Sequence, residues 1–168
     1  MAINMPAIAD PMKSEAFERE HKAVEEKKGE NVQAFNTDAA MCNERATEIN
    51  NSRGDWDKRN GTTAVMKAVD TQTGKEVFLV STNSPNNTLP KNLQGVLKDN
   101  EIYIGGKGHA EQKIMLNKGD RYSIIAGGTS RNICKDICQP LLEADGLKLG
   151  GPKYNGHSDK TLYRQFWR

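Results

Sequence analysis

The chain has 168 residues and a formal net charge of +2 at pH 7, with 36% hydrophobic and 27% charged residues. This length suits one domain with a sizeable core, and the composition excludes a wholly disordered chain. No apolar run approaches the roughly 18 residues of a membrane-spanning helix, and the N-terminus lacks a signal-peptide pattern. The three cysteines exclude a disulfide-rich secreted scaffold, so we expect a single domain in a reducing compartment.

Charge is divided unevenly along the chain. Residues 1–60 carry nine Lys and Arg against twelve Asp and Glu, whereas residues 61–168 carry fifteen against ten. A basic second half favours an anionic substrate through long-range attraction. Ordinary solvated Lys and Arg would produce the same imbalance, and charge alone does not separate these readings.

The N-terminal third is predicted to be helical. Residues 1–12 contain two prolines and no amphipathic period, which indicates a linker or the start of an excised domain, so the folded domain is predicted over 13–168. One helix is predicted from Ser14 to about Lys28 and a second from about Val32 to Asn50, within a helical part spanning 14–58. Cys42 falls among apolar residues, and we interpret it as a small buried hydrophobe.

A β-hairpin is predicted next. Asp55 to Gly61 is predicted as a polar turn around Trp56. Residues 62–70 and 75–81 are rich in β-branched and aromatic side chains, and the turn-forming segment 71–74 joins them. The long polar connection 81–100 that follows is of the kind that often carries function in compact domains.

The remaining chain alternates helices and strands. Gly105 to Gly108 would let the backbone approach a ligand closely. The further elements are a short extended piece at 101–104, helices at 109–116 and 134–144, a loop at 127–133, and strands at 121–126, 146–150 and 161–167. This order predicts an α/β fold with a mixed five-stranded sheet, helices packed on it and additional N-terminal helices.

One constellation carries chemistry. His109 and Glu111 are predicted at the start of one helix, and Cys134 and Cys138 are predicted one turn apart at the start of the next. One imidazole and two thiolates can hold Zn²⁺ and leave a fourth tetrahedral position for water, while a carboxylate moves protons. These are the parts of hydrolytic deamination at zinc. A structural zinc site is the alternative, and His157 is the nearest further His that could complete it.

The same residues carry a family resemblance. The segment His109-Ala110-Glu111 with Cys134 and Cys138 resembles the signature of the cytidine deaminase superfamily. Gln112 after the Glu, and Ser130-Arg131 before the first Cys, resemble its bacterial polymorphic-toxin branch, which includes single-stranded-DNA cytosine deaminases delivered by type VI secretion. Ile133 stands where the superfamily usually has Pro, and three rather than two residues separate the cysteines.

The resemblance implies roles and partners. It implies zinc bound by His109, Cys134 and Cys138, Glu111 as the catalytic acid and base, and substrate contacts from Asn83, Ala110, Ser130 and Arg131. Asn83 matches a position that holds the substrate's sugar, although a turn-forming role beside Pro85 fits equally well. The resemblance also implies a secreted effector that acts in the cytoplasm of a target bacterium, with an acidic immunity protein covering the site. We expect a monomer.

The substrate stays open among several classes. Single-stranded DNA is the first hypothesis, and RNA, double-stranded DNA and free nucleosides are the alternatives. A zinc-stabilised module that binds nucleic acid or protein is the non-enzyme alternative. Side chains that could stack on bases are Trp56, Tyr103, Tyr122, Tyr154, Phe166 and Trp167, and those that could contact phosphates are Lys107, Arg131, Lys135, Lys153 and Arg164. For each one alone, core packing or a solvated surface charge is the simpler interpretation.

Overall fold

The computed structural model describes residues 35–85 and 87–168, and the elements named here lie in one unit, Asn36–Arg168. The predicted helix from Ser14 to about Lys28 lies outside the described residues. The described helices are α1 (Thr37–Asn51), α2 (Asp55–Asn60), a 3-10 turn (Lys91–Leu93), α3 (Ala110–Asn117) and α4 (Cys138–Ala144). The strands are β1 (Thr63–Asp70), β2 (Glu76–Thr82), β3 (Glu101–Tyr103), β4 (Tyr122–Thr129), β5 (Lys148–Gly150) and β6 (Gln165–Trp167).

The fold is α/β with a mixed six-stranded sheet, which confirms the predicted class. The strand order is β3-β2-β1-β4-β6-β5, and β3 pairs parallel to β2 while the other neighbours are antiparallel. The sixth strand is β3, where the sequence indicated only a short extended piece. A three-residue strand has too little pattern to be recognised, and its parallel partner β2 lies across the whole 83–100 connection.

Helices cover both faces of the sheet because strand side chains alternate between faces. From β1, Ala64, Met66 and Ala68 pack into a cluster with residues of α3 and α4. Val65 packs on the opposite side with α1. Cys42 belongs to this second cluster at 1% exposure, and burial raises the pKa of its thiol to about 12, as expected for a small buried hydrophobe.

Helix α1 lies close to β4 at Gly128. Asn43 of α1 donates a hydrogen bond from Nδ2 to the carbonyl of Thr129 at 2.7 Å. A Cβ on Gly128 would lie 2.2 Å from the backbone nitrogen of Asn43, which no side-chain rotation can relieve. Gly128 therefore permits the packing of α1 on the sheet.

Gly128→Ala should lower the free energy of unfolding by about 3 kcal/mol, because overpacking here displaces a helix backbone. Thermal and urea unfolding measure this change. Gly54→Ala is the matched control, since its added Cβ meets nothing nearer than 3.8 Å. Equal unfolding midpoints for the two variants would contradict the close approach.

Four sequence predictions need correction. Asp55 to Gly61 is not a turn but contains α2, with acidic residues in its first turn and basic residues in its last, as the helix dipole favours. Strand β4 extends through Thr129 into the predicted loop, because its glycines pair with β1 and β6. Strand β6 is shorter than predicted. Helix α4 begins at Cys138 rather than Cys134, whose backbone forms an isolated bridge with Lys160.

Other predicted elements are confirmed. Strands β1 and β2 form the expected antiparallel hairpin. Helix α1 matches the predicted second helix from Thr37 onward, and the Asn36 side chain caps it by accepting from the Ala39 N–H at 2.9 Å. Within the described ranges, no helix is long and apolar enough to cross a membrane.

Candidate active site

The start of α3 is organised by its own sequence. His109 occupies the N-cap position, and its backbone N–H donates to Oε1 of Gln112 at 3.0 Å. Gly108 has a φ of +101°, and a Cβ there would lie 2.1 Å from the same Gln112 oxygen. The Gly-His-Ala-Glu-Gln segment therefore fixes where His109 and Glu111 stand, because the turn before the helix admits only glycine at this point.

His109 and Cys138 meet at the spacing of two zinc ligands. Nδ1 of His109 lies 3.4 Å from Sγ of Cys138. Tetrahedral coordination with Zn–N near 2.0 Å and Zn–S near 2.3 Å separates the two donor atoms by about 3.5 Å. Cys138 is the first residue of α4 and is fully buried. The starts of α3 and α4 therefore bring together one nitrogen and one sulfur of the predicted set of three donors.

Two groups that lose a proton to become negative, Glu111 and Cys138, lie close together and are buried. Glu111 is only 3% exposed, and burial raises the pKa of its carboxyl. The pKa of the Cys138 thiol is also raised, first by burial and then by the negative charges of Glu111 and Cys134. Buried groups that oppose one another's ionisation are stabilised by a cation placed among them. This donor set therefore suits a divalent cation.

Two donors, His109 and Cys138, already lie at the separation that zinc coordination requires. Among residues 35–85 and 87–168, no group of three or more His, Cys, Asp or Glu side chains is arranged as a metal site. Cys134 nevertheless lines the same cleft as His109 and Glu111. Cys134 is therefore close to the pair but is not arranged with it as a third donor.

A cleft of about 280 Å³ opens over these residues, and we call it the His109 cleft. This volume is close to the lower end of the range for small-molecule sites and suits a single base better than a large cofactor. Its described walls are Asn60, Thr62, Asn83, His109, Ala110, Glu111, Arg131, Asn132, Cys134 and Lys160. Most of these side chains are polar, so a ligand here would be oriented by hydrogen bonds.

Asn83 is held so that its amide nitrogen is available. Its Oδ1 accepts from the Thr62 N–H at 3.0 Å and from the Arg53 guanidinium at 3.2 Å. Both partners are donors, so the amide orientation is determined without ambiguity. Nδ2 makes no hydrogen bond within the part of the chain that the structure describes, and Asn83 lines the His109 cleft. The residue can therefore donate to a ligand oxygen or ring nitrogen.

Two buried cations support this corner of the site. Arg53 is 5% exposed and also donates to Oδ1 of Asn50 at 3.1 Å. Lys113 of α3 is fully buried and donates from Nζ to the carbonyl of Ser84, beside Asn83. Burial lowers the pKa of both groups. They anchor the beginning of the 83–100 connection against α1 and α3.

The other predicted substrate contacts are divided between two places. Ala110 is fully buried and lines the His109 cleft, and Arg131 lines it as well. Ser130 faces a neighbouring cleft, and its Oγ accepts from the Thr63 N–H at 2.9 Å. His157, the alternative fourth zinc ligand, is not among the residues that line the His109 cleft.

Sequence reasoning did not single out Arg53, Asn60, Lys113 or Lys160. Lys160 reaches the site through the backbone bridge to Cys134, and its positive charge acts on Glu111. One sequence feature could have pointed to Arg53 and Lys113. Each is a basic residue that lies beside a helix end or within an otherwise apolar helical face. That signal is weak, because such residues are usually solvated.

The aromatic side chains that were candidates for stacking on bases lie in different parts of the fold. Phe166 is fully buried in the core, Tyr103 contacts the hydroxyl of Thr82, and Tyr154 packs under the Arg164 guanidinium at 4.0 Å. Trp56 is 66% exposed on α2, one turn before Asn60 of the His109 cleft. Trp56 is thus an exposed aromatic side chain on the helix that carries one wall residue of this cleft.

Comparisons of the chain with known protein families, with curated proteins and with solved structures found no match. The functional conclusion therefore depends on the residues of the site and on the motif resemblance.

Proposed function

We propose that this chain is a zinc-dependent deaminase that converts cytosine to uracil in single-stranded DNA. The observation that carries the proposal is the 3.4 Å approach of His109 Nδ1 to Cys138 Sγ beside the buried carboxyl of Glu111. Cys134 lines the same cleft and would supply the third zinc donor. The order and types of these four residues match the signature of the cytidine deaminase superfamily.

The reaction adds water to C4 of cytosine and releases the amino group as ammonia. Zn²⁺ held by His109, Cys134 and Cys138 would lower the pKa of the attacking water. Glu111 takes one proton from that water and delivers it to the ring nitrogen. It then takes the second proton from the hydroxyl on C4 and delivers it to the amino group, which leaves as ammonia while the C4 carbonyl forms. Burial raises the pKa of Glu111, which favours its protonated form and therefore its role as a proton donor.

Asn83 is assigned to substrate orientation. Its free Nδ2 can donate to an oxygen of the sugar or the base, while Arg53 and Thr62 prevent the amide from turning. A hydrogen bond of this kind also excludes ligands that lack the acceptor, because the donor would then stay unpaired.

Asn83→Asp should lower kcat/KM on a cytosine-containing oligonucleotide by roughly ten- to a hundredfold. The carboxylate keeps both accepted hydrogen bonds but replaces the donor with a negative oxygen facing an anionic substrate. Steady-state kinetics and melting temperature are measured together. Asn100→Asp introduces the same charge outside the His109 cleft and should leave kcat/KM unchanged. Loss of melting temperature in Asn83→Asp without loss of kcat/KM would contradict the orientation role.

The motif resemblance extends the proposal to biology. We propose that the protein is an interbacterial toxin delivered by type VI secretion, which leaves uracil and mutations in the genome of a target cell. Such a toxin needs an immunity protein in the cell that makes it. Because the walls of the His109 cleft hold Arg131 and Lys160, an acidic partner would cover it best.

The test is uracil formation in labelled single-stranded DNA, RNA, duplex DNA and free cytidine under matched conditions. Conversion of the DNA strand, with a rate that falls steeply as salt rises, is the expected result. Conversion of cytidine alone, with little salt dependence, would favour a nucleoside deaminase. No conversion of any substrate by the zinc-loaded, folded protein would favour a zinc-stabilised binding module.

A further inference from the structure

A second cleft lies against the first. It has a volume of about 240 Å³, and we call it the Lys58 cleft. Its described walls are all polar, with three cations and no carboxylate: Thr47, Asn50, Asn51, Lys58, Ser130, Arg131 and Arg164. A concave site that combines positive charge with hydroxyl and amide groups fits an oxyanion of the phosphate type.

Among the described residues, no carboxylate pairs with any of the three cations, Lys58, Arg131 and Arg164. Burial lowers the pKa of Arg164, and the positive charge of Arg131 contributes in the same direction. The two positive charges therefore repel one another, and an anion bound in the cleft that both residues line would relieve that repulsion.

The guanidinium groups are also held in place before any ligand arrives. Nε of Arg131 donates to the carbonyl of Gly61 at 2.8 Å. Arg164 donates to Oδ1 of Asn132 at 2.7 Å and to the carbonyl of Ser130 at 3.2 Å, and its plane stacks on Tyr154. Neutral acceptors fix these side chains without cancelling their charge. Such preorganisation reduces the entropy lost on binding.

The Lys58 cleft continues from the His109 cleft. Arg131 lines both, and α2 forms a wall between them, with Asn60 in the first cleft and Lys58 in the second. Residues two apart on a helix point to nearly opposite sides. A strand whose target base enters the His109 cleft could therefore pass α2 and place a backbone phosphate in the Lys58 cleft.

We propose that the Lys58 cleft binds the phosphate of a nucleotide adjacent to the target nucleotide, so that the enzyme acts on a strand rather than on a free nucleoside. This inference rests on the proposed deaminase function. It identifies Lys58, Arg131 and Arg164 as the residues that hold the strand, in a cleft that shares Arg131 with the His109 cleft but contains no zinc donor and no Glu111.

The test compares Lys58→Gln with Lys75→Gln, using the zinc-loaded protein. Lys58 is exposed and lines only the second cleft, and Lys75 is an exposed lysine in the turn at the far end of β1. For deamination of a short cytosine-containing oligonucleotide, Lys58→Gln should raise KM on the order of tenfold with little change in kcat. The slope of the logarithm of its binding constant against the logarithm of salt concentration should become shallower by about 0.7, which corresponds to the loss of one phosphate contact on a single strand. Lys75→Gln should change neither.

A chemical variant of the substrate locates the phosphate. A single uncharged methylphosphonate linkage at one position beside the target should raise KM for the wild-type protein and have no further effect on Lys58→Gln. Equal effects of the linkage at every position, or equal KM values for Lys58→Gln and Lys75→Gln, would overturn the proposal. The proposal would also be overturned if Lys58→Gln raised KM for deoxycytidine 5′-monophosphate, but not for deoxycytidine, as much as it raised KM for the oligonucleotide. The cleft would then hold the phosphate of the target nucleotide itself.

Direct binding separates this proposal from the proposed reaction. Anisotropy of a labelled single strand measures affinity without turnover. Weaker binding by Lys58→Gln than by Lys75→Gln supports the phosphate site even if no cytosine is converted. Conversion of cytosine with identical binding by both variants supports the deaminase and overturns the phosphate site.

Discussion

Under the proposed mechanism, Glu111→Gln protein should bind zinc and fold as the wild type does, and its rate of cytosine deamination should fall by about 10²- to 10⁴-fold, the usual effect of losing a general acid and base. The substitution keeps the size and shape of the side chain but removes its ability to exchange protons. Zinc content, the melting temperature and single-turnover rates measure the three quantities separately.

The stability of this variant is informative in itself. Glu111 is buried, and burial raises the pKa of its carboxyl, so its charged form is costly to the folded state without a cation beside it. We therefore expect the metal-free Glu111→Gln protein to be at least as stable as the metal-free wild type. Active-site groups often have this property, because their placement serves chemistry rather than stability.

Glu143→Gln is the matched control for Glu111→Gln. Glu143 is exposed on α4, and its carboxylate accepts from the Gln139 side chain at 3.1 Å. Its loss should leave turnover unchanged. If Glu111→Gln kept full activity, the zinc-stabilised binding module would become the better explanation of the constellation, because Glu111 would then be an ordinary helix residue.

Cys138→Ser should weaken zinc binding by at least about 100-fold and abolish turnover. Loss of a residue that hydrogen-bonds to a metal ligand typically weakens metal binding by about 10- to 100-fold, and Cys138 is proposed to be a ligand itself. Its sulfur lies 3.4 Å from Nδ1 of His109, so its replacement removes one of the two donors that already stand at coordinating separation. Zinc stoichiometry after dialysis against a weak chelator measures the effect.

Cys42→Ser is the matched control for this experiment. Both cysteines are buried to a similar degree, and Cys42 lies on the other face of the sheet in the cluster with α1. Both substitutions replace a buried sulfur with a more polar hydroxyl, so both should lower stability. Only Cys138→Ser should lose zinc, and a strong chelator should lower the melting temperature of Cys42→Ser protein but not that of Cys138→Ser protein. Equal zinc contents would remove Cys138 from the ligand set.

Several features of the site are encoded locally and could be predicted. The start of α3 depends on Gly108, His109 and Gln112, which lie within five residues. The β1–β2 hairpin depends on alternation and on the turn between the strands. Local patterns of this kind can be read because the interacting residues are neighbours in the chain.

The start of α4 shows where such reading goes wrong. Cys134 and Cys138 are spaced as one helical turn, yet the helix begins only at Cys138. The backbone of Cys134 pairs instead with Lys160, which is 26 residues away. A tertiary contact here replaces the helical hydrogen bond that the spacing suggested, and it brings a lysine to the site that no local pattern indicates.

The sequence by itself determined the α/β class, the chemical types of the constellation and the position of Glu111 at a helix start. Only the tertiary structure decided that Arg53 holds Asn83, that β3 joins the sheet, and that Arg131 stands between two clefts. Helix starts and hairpins follow from interactions between near neighbours. Clefts and buried charge contacts depend on residues brought together from distant parts of the chain, and their geometry exists only once the core has packed.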